Sequence, residues 1–426
     1  MGIRTLVVGG GGREDALSWA LARSPSVEAV YAAPGNAGTA TRGDNWDIVA
    51  TDGKALASRA RDERIDLAVL GPESAIAAGA GDRLREAGIP VFGPSRSAGR
   101  LESSKIFAKR FLERHKIPTG RARVAHSLPQ ALTIIDEWPD VEIVIKADGL
   151  AAGKGVVVAP DVKDASAVVA DWFANAGVPG GGTDILLEER LEGREVSVFA
   201  ICDGRAMLPF AAACDYKRVG DGDIGPNTGG MGAYSPPAGF PGDYIDIVRR
   251  EIIAPVLSGL NADGEEYIGV LYIGVMWTAN GPKVLEFNAR FGDPETQALI
   301  PRLQGDFARL LHSAATGALE ADAARIAGDS CVCVTFVTED YPVVSKPANG
   351  LPGDLDLPES ALAFWGTSQR SNGRVNVGGG RVLTIAETGA DINDARARAY
   401  AAAERVAKQL APVVRVSYRT DIAKGL

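Results

Sequence analysis

The first hundred residues alternate short apolar runs with helix-forming stretches, and this alternation restricts the fold more than any other feature of the chain. Strands are predicted at 4–8, 27–32, 67–70 and 90–92, with helices at 13–23, 54–63 and 82–87. Strand and helix repeated in this way form a doubly wound parallel sheet. Ligands of such sheets sit beyond the carboxyl ends of the strands, which here are the loops 9–14, 34–38 and 71–74. Those loops are candidate binding segments. The opening run 1–8 is short and stops at four glycines, so it reads as a buried first strand rather than a signal peptide.

Beyond this unit a helix is predicted over 103–115, capped by Ser103 or Ser104 and broken at Ile117, Pro118 and Thr119. Strands at 141–147, 155–159, 185–189 and 195–202, a glycine-rich hairpin and a helix near 164–175 describe a small α+β lid. A glycine-rich loop at 225–232 precedes a helix around 244–259 and strands at 268–278 and 283–287. After residue 330, strands at 331–338 and 413–418 flank a helix over 392–409. A chain of 426 residues is too long for one core. Three domains are expected: 1–102, 103–328 with a lid at about 120–192, and a carboxy-terminal α+β domain at 329–426.

Composition excludes several classes of function. Hydrophobic residues make up 46% and charged residues 23%, as in a globular soluble protein. The longest apolar run, 268–277, is far short of the roughly 20 residues that span a bilayer. A net charge of −9 argues against nucleic acid or anionic membrane as partner, so any phosphate must be held by local charge. Cys202, Cys214, Cys331 and Cys333 lack CxxC spacing and read as reduced core residues.

Residues 284–291 carry the first chemical pattern. Strand alternation places Glu286, Asn288 and Arg290 on one face and Leu285, Phe287 and Ala289 on the other. A carboxylate and an amide oxygen two residues apart make half a cage for a hard cation such as Mg²⁺; the alternative is a solvated strand face. Lys146 ends an apolar strand and needs an anion there, which makes it the first choice for a nucleotide phosphate. The following glycines and Lys154 suit a flap over polyphosphate, or an ordinary hairpin. Spacing excludes a P-loop, because three residues rather than four separate Gly149 from Gly153. Residues 9–15 are not a dinucleotide fingerprint, since Glu14 or Asp15 takes the third glycine position. Backbone N–H groups there, with Arg13 nearby, could still take one phosphate. Glu188 and Glu195, taken singly, read as surface charges. Asp215, Lys217 and Arg218 precede the glycine loop and suit clamping a carboxylate or phosphoryl group. The three histidines read as structural, and no Ser-His-Asp or Cys-His arrangement is suggested.

Taken in order, these motifs resemble the ATP-grasp ligases, and among them the phosphoribosylamine–glycine ligase family, over nearly the whole chain. The resemblance rests on GGGGRE (9–14), PGNAGT (34–39), GPE (71–73), SSKIFAKRF (103–111), KADGLAAGKGV (146–156), DYKR (215–218), GPNTGGMG (225–232), EFNARFGDPETQ (286–297) and GGRVL (379–383). It implies a central ATP-grasp fold with a mobile lid, and an ATP site using Lys105, Lys146, Glu188 and Glu195, with Gly153, Lys154, Gly155, Glu189 and Leu191 around it. It further implies Mg²⁺, or Mn²⁺ in its place, on Glu286 and Asn288. Glycine would be held by Asp215 and Arg290, with Lys217 beside them in the reacting centre, and 5-phosphoribosylamine by Gly11, Gly12, Arg13, Asn36 and Glu73. A cytoplasmic monomer with small-molecule partners is expected. Three positions depart from the family pattern. Asp15 stands where a histidine is usual, so either it faces away or sugar-phosphate affinity suffers. Arg190 and Arg194 replace an aromatic and an acid in the lid region. Rival readings are another ATP-grasp ligase, a nicotinamide oxidoreductase and a non-catalytic nucleotide sensor.

Overall fold

The computed structural model describes residues 2–138, 142–150, 155–174 and 177–426. The amino-terminal strands form a five-stranded parallel sheet in the spatial order Asp44–Asn45, Val27–Pro34, Ile3–Gly9, Leu67–Leu70, Val91–Phe92. Sequence order reverses direction between Ile3–Gly9 and Leu67–Leu70, so the crevice of this sheet lies where the loops after both strands diverge. The three loops singled out from the sequence meet there. Gly10 allows the closest approach: a Cβ on it would lie 2.4 Å from the carbonyl oxygen of Gly35.

A four-stranded antiparallel sheet follows, in the order Ala122–Ala125, Ile185–Glu189, Ile143–Ala147, Val156–Ala159. Helices Leu128–Asp136 and Val162–Ala174 bury their apolar stripes on it through Ile134, Ile135, Val169 and Trp172. Its core is a cluster of its own, distinct from the clusters of the rest of the molecule. The predicted 103–115 helix runs over Lys105–Arg114, with Ser104, one of its two expected caps, just before it. Ser104 is extended (φ −137°, ψ 110°), which ends the turn Arg100–Ser103 and caps Lys105–Arg114 by accepting the Phe107 N–H.

The largest sheet has nine strands, with a path running Gly281–Asn288, Ile268–Thr278, Arg194–Asp203, Met207–Asp215, Gly232–Ser235, Ser330–Thr338, Arg381–Gly389, Leu362–Trp365. The strands after residue 330 therefore continue the central sheet, through pairs such as Ala233 with Cys333. Helix Ile392–Leu410 covers this extension with Ala395, Ala399, Ala402 and Val406. The expected 413–418 strand shrinks to Val416–Ser417. All four cysteines are free and buried, as read from the sequence. No described helix is long and apolar enough to cross a membrane.

Strand Gly281–Asn288 departs from simple alternation. Gly274 pairs with Glu286 and Val275 with Val284, so Leu285 is an extra residue in a bulge. Pro282, Val284 and Phe287 are its buried residues and Ala289 follows them, so Phe287 and Ala289 match the two-face reading, while Leu285 is only half-buried, contrary to it. The bulge turns the Leu285 carbonyl toward Lys146, whose Nζ donates to it at 3.1 Å.

Candidate active site

Helix Lys105–Arg114 places Lys105 and Lys109 one turn apart, which aims both ammonium groups along one face. Lys109 reaches Glu188 at 2.8 Å, and Lys146, near the end of an inner strand of the lid sheet, reaches the same carboxylate at 2.6 Å. Glu188 is therefore a buried carboxylate between two lysines, not the surface charge its sequence context suggests. Burial works to raise its pKa, yet Lys146 and Lys109 outweigh burial and keep it below the usual carboxylate value. Lys105 donates to the Gly149 carbonyl at 3.2 Å, and burial lowers its pKa. Asp148, just past the Lys146 strand, accepts from Ser104 Oγ at 3.0 Å and from the Ile106 N–H at 3.1 Å. The lid and the Lys105 helix are joined through that carboxylate.

Glu286 sits opposite these lysines. Burial raises its pKa, but Lys217, Lys146, Lys105 and Arg290 together hold it below its ordinary value, so it is ionised. Asn288, two residues on, accepts from Arg290 Nη2 at 3.2 Å. Among the described residues no three His, Cys, Asp or Glu side chains converge as a metal cluster. A cation between Glu286 and Asn288 would draw its other ligands from phosphate and water, which suits Mg²⁺. The oxygen donors and the ionised carboxylate fit that ion.

Behind this pair lies a second charge network. Arg290 meets Glu73 at 3.3 Å and Glu102 at 3.0 Å, and its pKa is raised by Glu102 and Glu73 against the effect of burial. Burial pushes Glu102 up, whereas Arg290 and Arg13 pull Glu73 below its ordinary value against burial. Lys217, just past the strand Met207–Asp215, pairs with Glu195 of the neighbouring strand. Beside them, burial pushes Asp215 up to about 8, with Lys217 opposing and Glu295, Glu195 and Glu286 adding to the rise. Glu295 is buried and accepts from Tyr272 Oη at 2.7 Å.

The sugar-side residues are arranged differently from expectation. Arg13 is 5% exposed; its Nε meets Glu14 at 2.6 Å and its Nη1 donates to the Phe291 carbonyl at 3.1 Å. Its charge is thus spent inside the protein instead of on an open phosphate pocket. Asn36 is likewise a brace: its amide donates to the carbonyls of Gly11 (3.0 Å) and Trp365 (2.7 Å), and its oxygen accepts from Gly38 and Thr39. Gly11 and Gly12 face Asp293 and Gln297 of the segment after the Glu286 strand. Arg381, from the carboxy-terminal part of the sheet, meets Asp293 at 2.8 Å and the Gly229 carbonyl at 2.6 Å. Glu189 accepts the Arg121 N–H at 3.0 Å and, with Leu191, lies where the lid sheet joins the central one. Gly155 pairs with Ala147, whereas Gly153 and Lys154 lie outside the described residues.

Three family profiles of phosphoribosylglycinamide synthetase match in succession: the N domain over residues 3–102, the ATP-grasp (A) domain over 103–296 and the C domain over 331–425. The chain belongs to the phosphoribosylglycinamide synthetase family. Relatives named phosphoribosylamine–glycine ligase include one from Caulobacter vibrioides, 43% identical with 98% of this chain and 97% of that one covered. Another, from Leifsonia xyli, is 42% identical with 99% of each covered. The crystal structure of the Thermotoga maritima phosphoribosylamine–glycine ligase is 31% identical and covers 99% of this chain and 100% of its own, with a TM-score of 0.84. The biotin carboxylase domain of Hydrogenobacter thermophilus 2-oxoglutarate carboxylase shares the fold at a TM-score of 0.71 and 12% identity, covering 97% of this chain and 90% of its own.

Membership of the synthetase family makes the protein an ATP-dependent ligase, and phosphoribosylamine–glycine ligation in purine biosynthesis is the function it supports. Glu102, Lys109, Glu295 and Arg381 belong to the site's networks but were not singled out as site residues from the sequence. The spacing of Lys105 and Lys109 could have revealed one of them; Glu102 and Arg381 reach the site only through long-range packing.

Proposed function

We propose that the protein joins glycine to 5-phosphoribosylamine using ATP, giving glycinamide ribonucleotide, ADP and phosphate. It would act as a cytoplasmic monomer of three domains, 1–102, 103–328 with its lid near 120–192, and 329–426. One observation carries the reading: Glu286 is ionised among Lys105, Lys146, Lys217 and Arg290, with Asn288 next on the same strand. That is a cleft balanced for a polyphosphate and a cation.

The glycine carboxylate attacks the γ-phosphate of ATP in line, forming glycyl phosphate and releasing ADP. The amine of phosphoribosylamine then attacks the acyl carbon and phosphate leaves. Lys105 and Lys146 hold the phosphates, Gly153, Lys154 and Gly155 contribute to nucleotide binding, and Glu188 keeps Lys146 placed. Glu189, Leu191 and Glu195 serve the nucleoside. Asp215 takes the glycine ammonium, Arg290 steers the carboxylate, and Lys217 offsets charge as the acyl phosphate forms. Glu286 and Asn288 would hold Mg²⁺, or Mn²⁺ in its place, which when bound neutralises phosphate charge as a Lewis acid. Gly12 offers its backbone N–H at a helix start to the sugar phosphate, beside Gly11, whose own N–H is donated to Glu14 at 2.6 Å, with Glu73 for the hydroxyls; Arg13 and Asn36 hold those loops in place.

A coupled ADP-release assay tests this reading. ADP should appear only when glycine and freshly prepared phosphoribosylamine are both supplied with ATP and Mg²⁺. Release independent of glycine, or none at all, would refute it.

A further inference from the structure

Asp15 lies on the first helix, one turn into it, yet it is fully buried at the seam between the amino-terminal loops and the carboxy-terminal part of the molecule. Its Oδ2 accepts the Trp365 N–H at 2.8 Å, and among the described residues its Oδ1 has no hydrogen-bond partner. Gly38 closes over it so tightly that a Cβ there would stand 1.7 Å from Oδ2. The same Trp365 offers its carbonyl to Asn36, and the neighbouring Gly366 carbonyl accepts from Asn36 as well. One short segment is therefore held from both sides, by Asp15 through its N–H and by Asn36 through its carbonyls. A cavity of about 420 Å³ opens along this seam between Trp19, Arg42, Leu355 and Trp365.

We propose that Asp15 is a positioning residue, a proton-sensitive latch that fixes Trp365 and thereby the Asn36–Gly11 brace on which sugar-phosphate binding depends. The proposal rests on the sugar site assigned above. A carboxylate with one unpartnered oxygen is costly in a closed seam, whereas its protonated form is tolerated. Burial accordingly pushes Asp15 up to about 7, against the pull of Arg42 and the Trp365 N–H. Few charges can compensate it. Arg42 faces it from the turn after Gly38, and the Leu362–Trp365 strand supplies only a backbone N–H. On its own helix Arg13 and Glu14 pair with each other. The charges on the other elements packed against that helix are engaged elsewhere: Glu295 with Tyr272, Arg302 with Ser235, Arg309 with Glu320, and Arg4 with Glu28 and Glu63. When Asp15 ionises, water drawn in from the cavity loosens the Trp365 segment, and a negative charge remains behind the phosphate pocket.

The sign for stability follows from the raised pKa. The contribution is fully present below the ordinary carboxylate pKa and is lost as pH rises through about 7. Titration calorimetry with glycinamide ribonucleotide, with MgADP as control, compares the full chain with Asp15→Asn at about pH 6 and about pH 8. Between these, the unmodified protein should lose roughly three- to tenfold more ribonucleotide affinity than Asp15→Asn, with MgADP affinity unchanged in both. Its melting temperature should also fall relative to the variant over the same range. In the unmodified protein alone, hydrogen-exchange protection of peptides spanning Trp365 should drop about tenfold over that range, after correction for intrinsic rates, while Ser330–Thr338 stays protected. Parallel pH profiles for protein and variant, or unchanged Trp365 protection, would overturn the latch. MgADP binding without ribonucleotide binding in either protein would count against the sugar-site reading instead, and exchange at Trp365 would then decide the latch by itself.

Discussion

Lys146 shows how a single side chain can be both structural and functional. It neutralises Glu188 and donates to the Leu285 carbonyl, so in Lys146→Ala the Glu188 carboxylate keeps, among the described residues, Lys109. A charge-assisted hydrogen bond contributes about 1.5 to 3 kcal/mol, so ATP affinity by calorimetry should fall roughly ten- to hundredfold. Unchanged affinity would remove Lys146 from the nucleotide site. Asp215 makes a prediction with a sign. Since burial pushes it up to about 8, it is mostly neutral near neutrality, and its grip on an ammonium group should strengthen as pH climbs through that value. The apparent KM for glycine should therefore fall as pH rises through about 8, and the Asp215→Asn profile should lack that step. The residues legible in the sequence were those whose chemistry recurs within a short motif, such as Glu286 with Asn288. Arg13 and Asn36 were legible as important but not as braces, because their partners, Phe291 and Trp365, are hundreds of positions away.

Two short elements set the geometry of the phosphate side. Ser104 separates the turn Arg100–Ser103 from the Lys105 helix, and its hydroxyl both caps that helix and meets Asp148. Ser104→Ala should cost about 1 kcal/mol in denaturant unfolding and should also raise the KM for ATP, because the first residue of that helix is Lys105. Loss of stability with an unaltered KM would leave the cap without a role in nucleotide binding. The bulge at Leu285 is the second. Deleting Leu285 leaves Val284 opposite Val275 and Glu286 opposite Gly274 but removes the carbonyl that accepts from Lys146, so the KM for ATP should rise while the far-ultraviolet circular dichroism stays close to that of the unmodified protein. Strand existence was readable from the apolar pattern, but a bulge has no compositional mark. It arises from pairing with a partner strand whose register the sequence does not display.

At the scale of the molecule, four of the five strands of the doubly wound sheet were legible from their apolar runs, while the two-residue edge strand Asp44–Asn45 was not, because it has no apolar residue. The continuation of the central sheet beyond residue 330 was not, because strand pairing such as Gly232 with Val334 joins segments about a hundred residues apart. The lid has its own core, separate from the rest, and is tied to it by polar contacts such as Lys146 with the Leu285 carbonyl and Asp148 with Ser104. Adding MgATP should accordingly slow proteolysis of the joints near Gly120 and Gly193, and equal cleavage with and without nucleotide would argue against closure.

Between Glu286 and Gln297 the chain leaves one edge of the central sheet and crosses to helix Glu295–Leu299, which lies over strands nearer the other edge. Along the way it touches the lysine cluster, the Glu73 and Glu102 carboxylates, Arg381 and the Gly12 loop in turn. Every pocket is surveyed from this common baseline. A slip of one residue along it would displace donor, acceptor and leaving group together, so the tolerance of the whole reaction is set by the length of this one covalent segment.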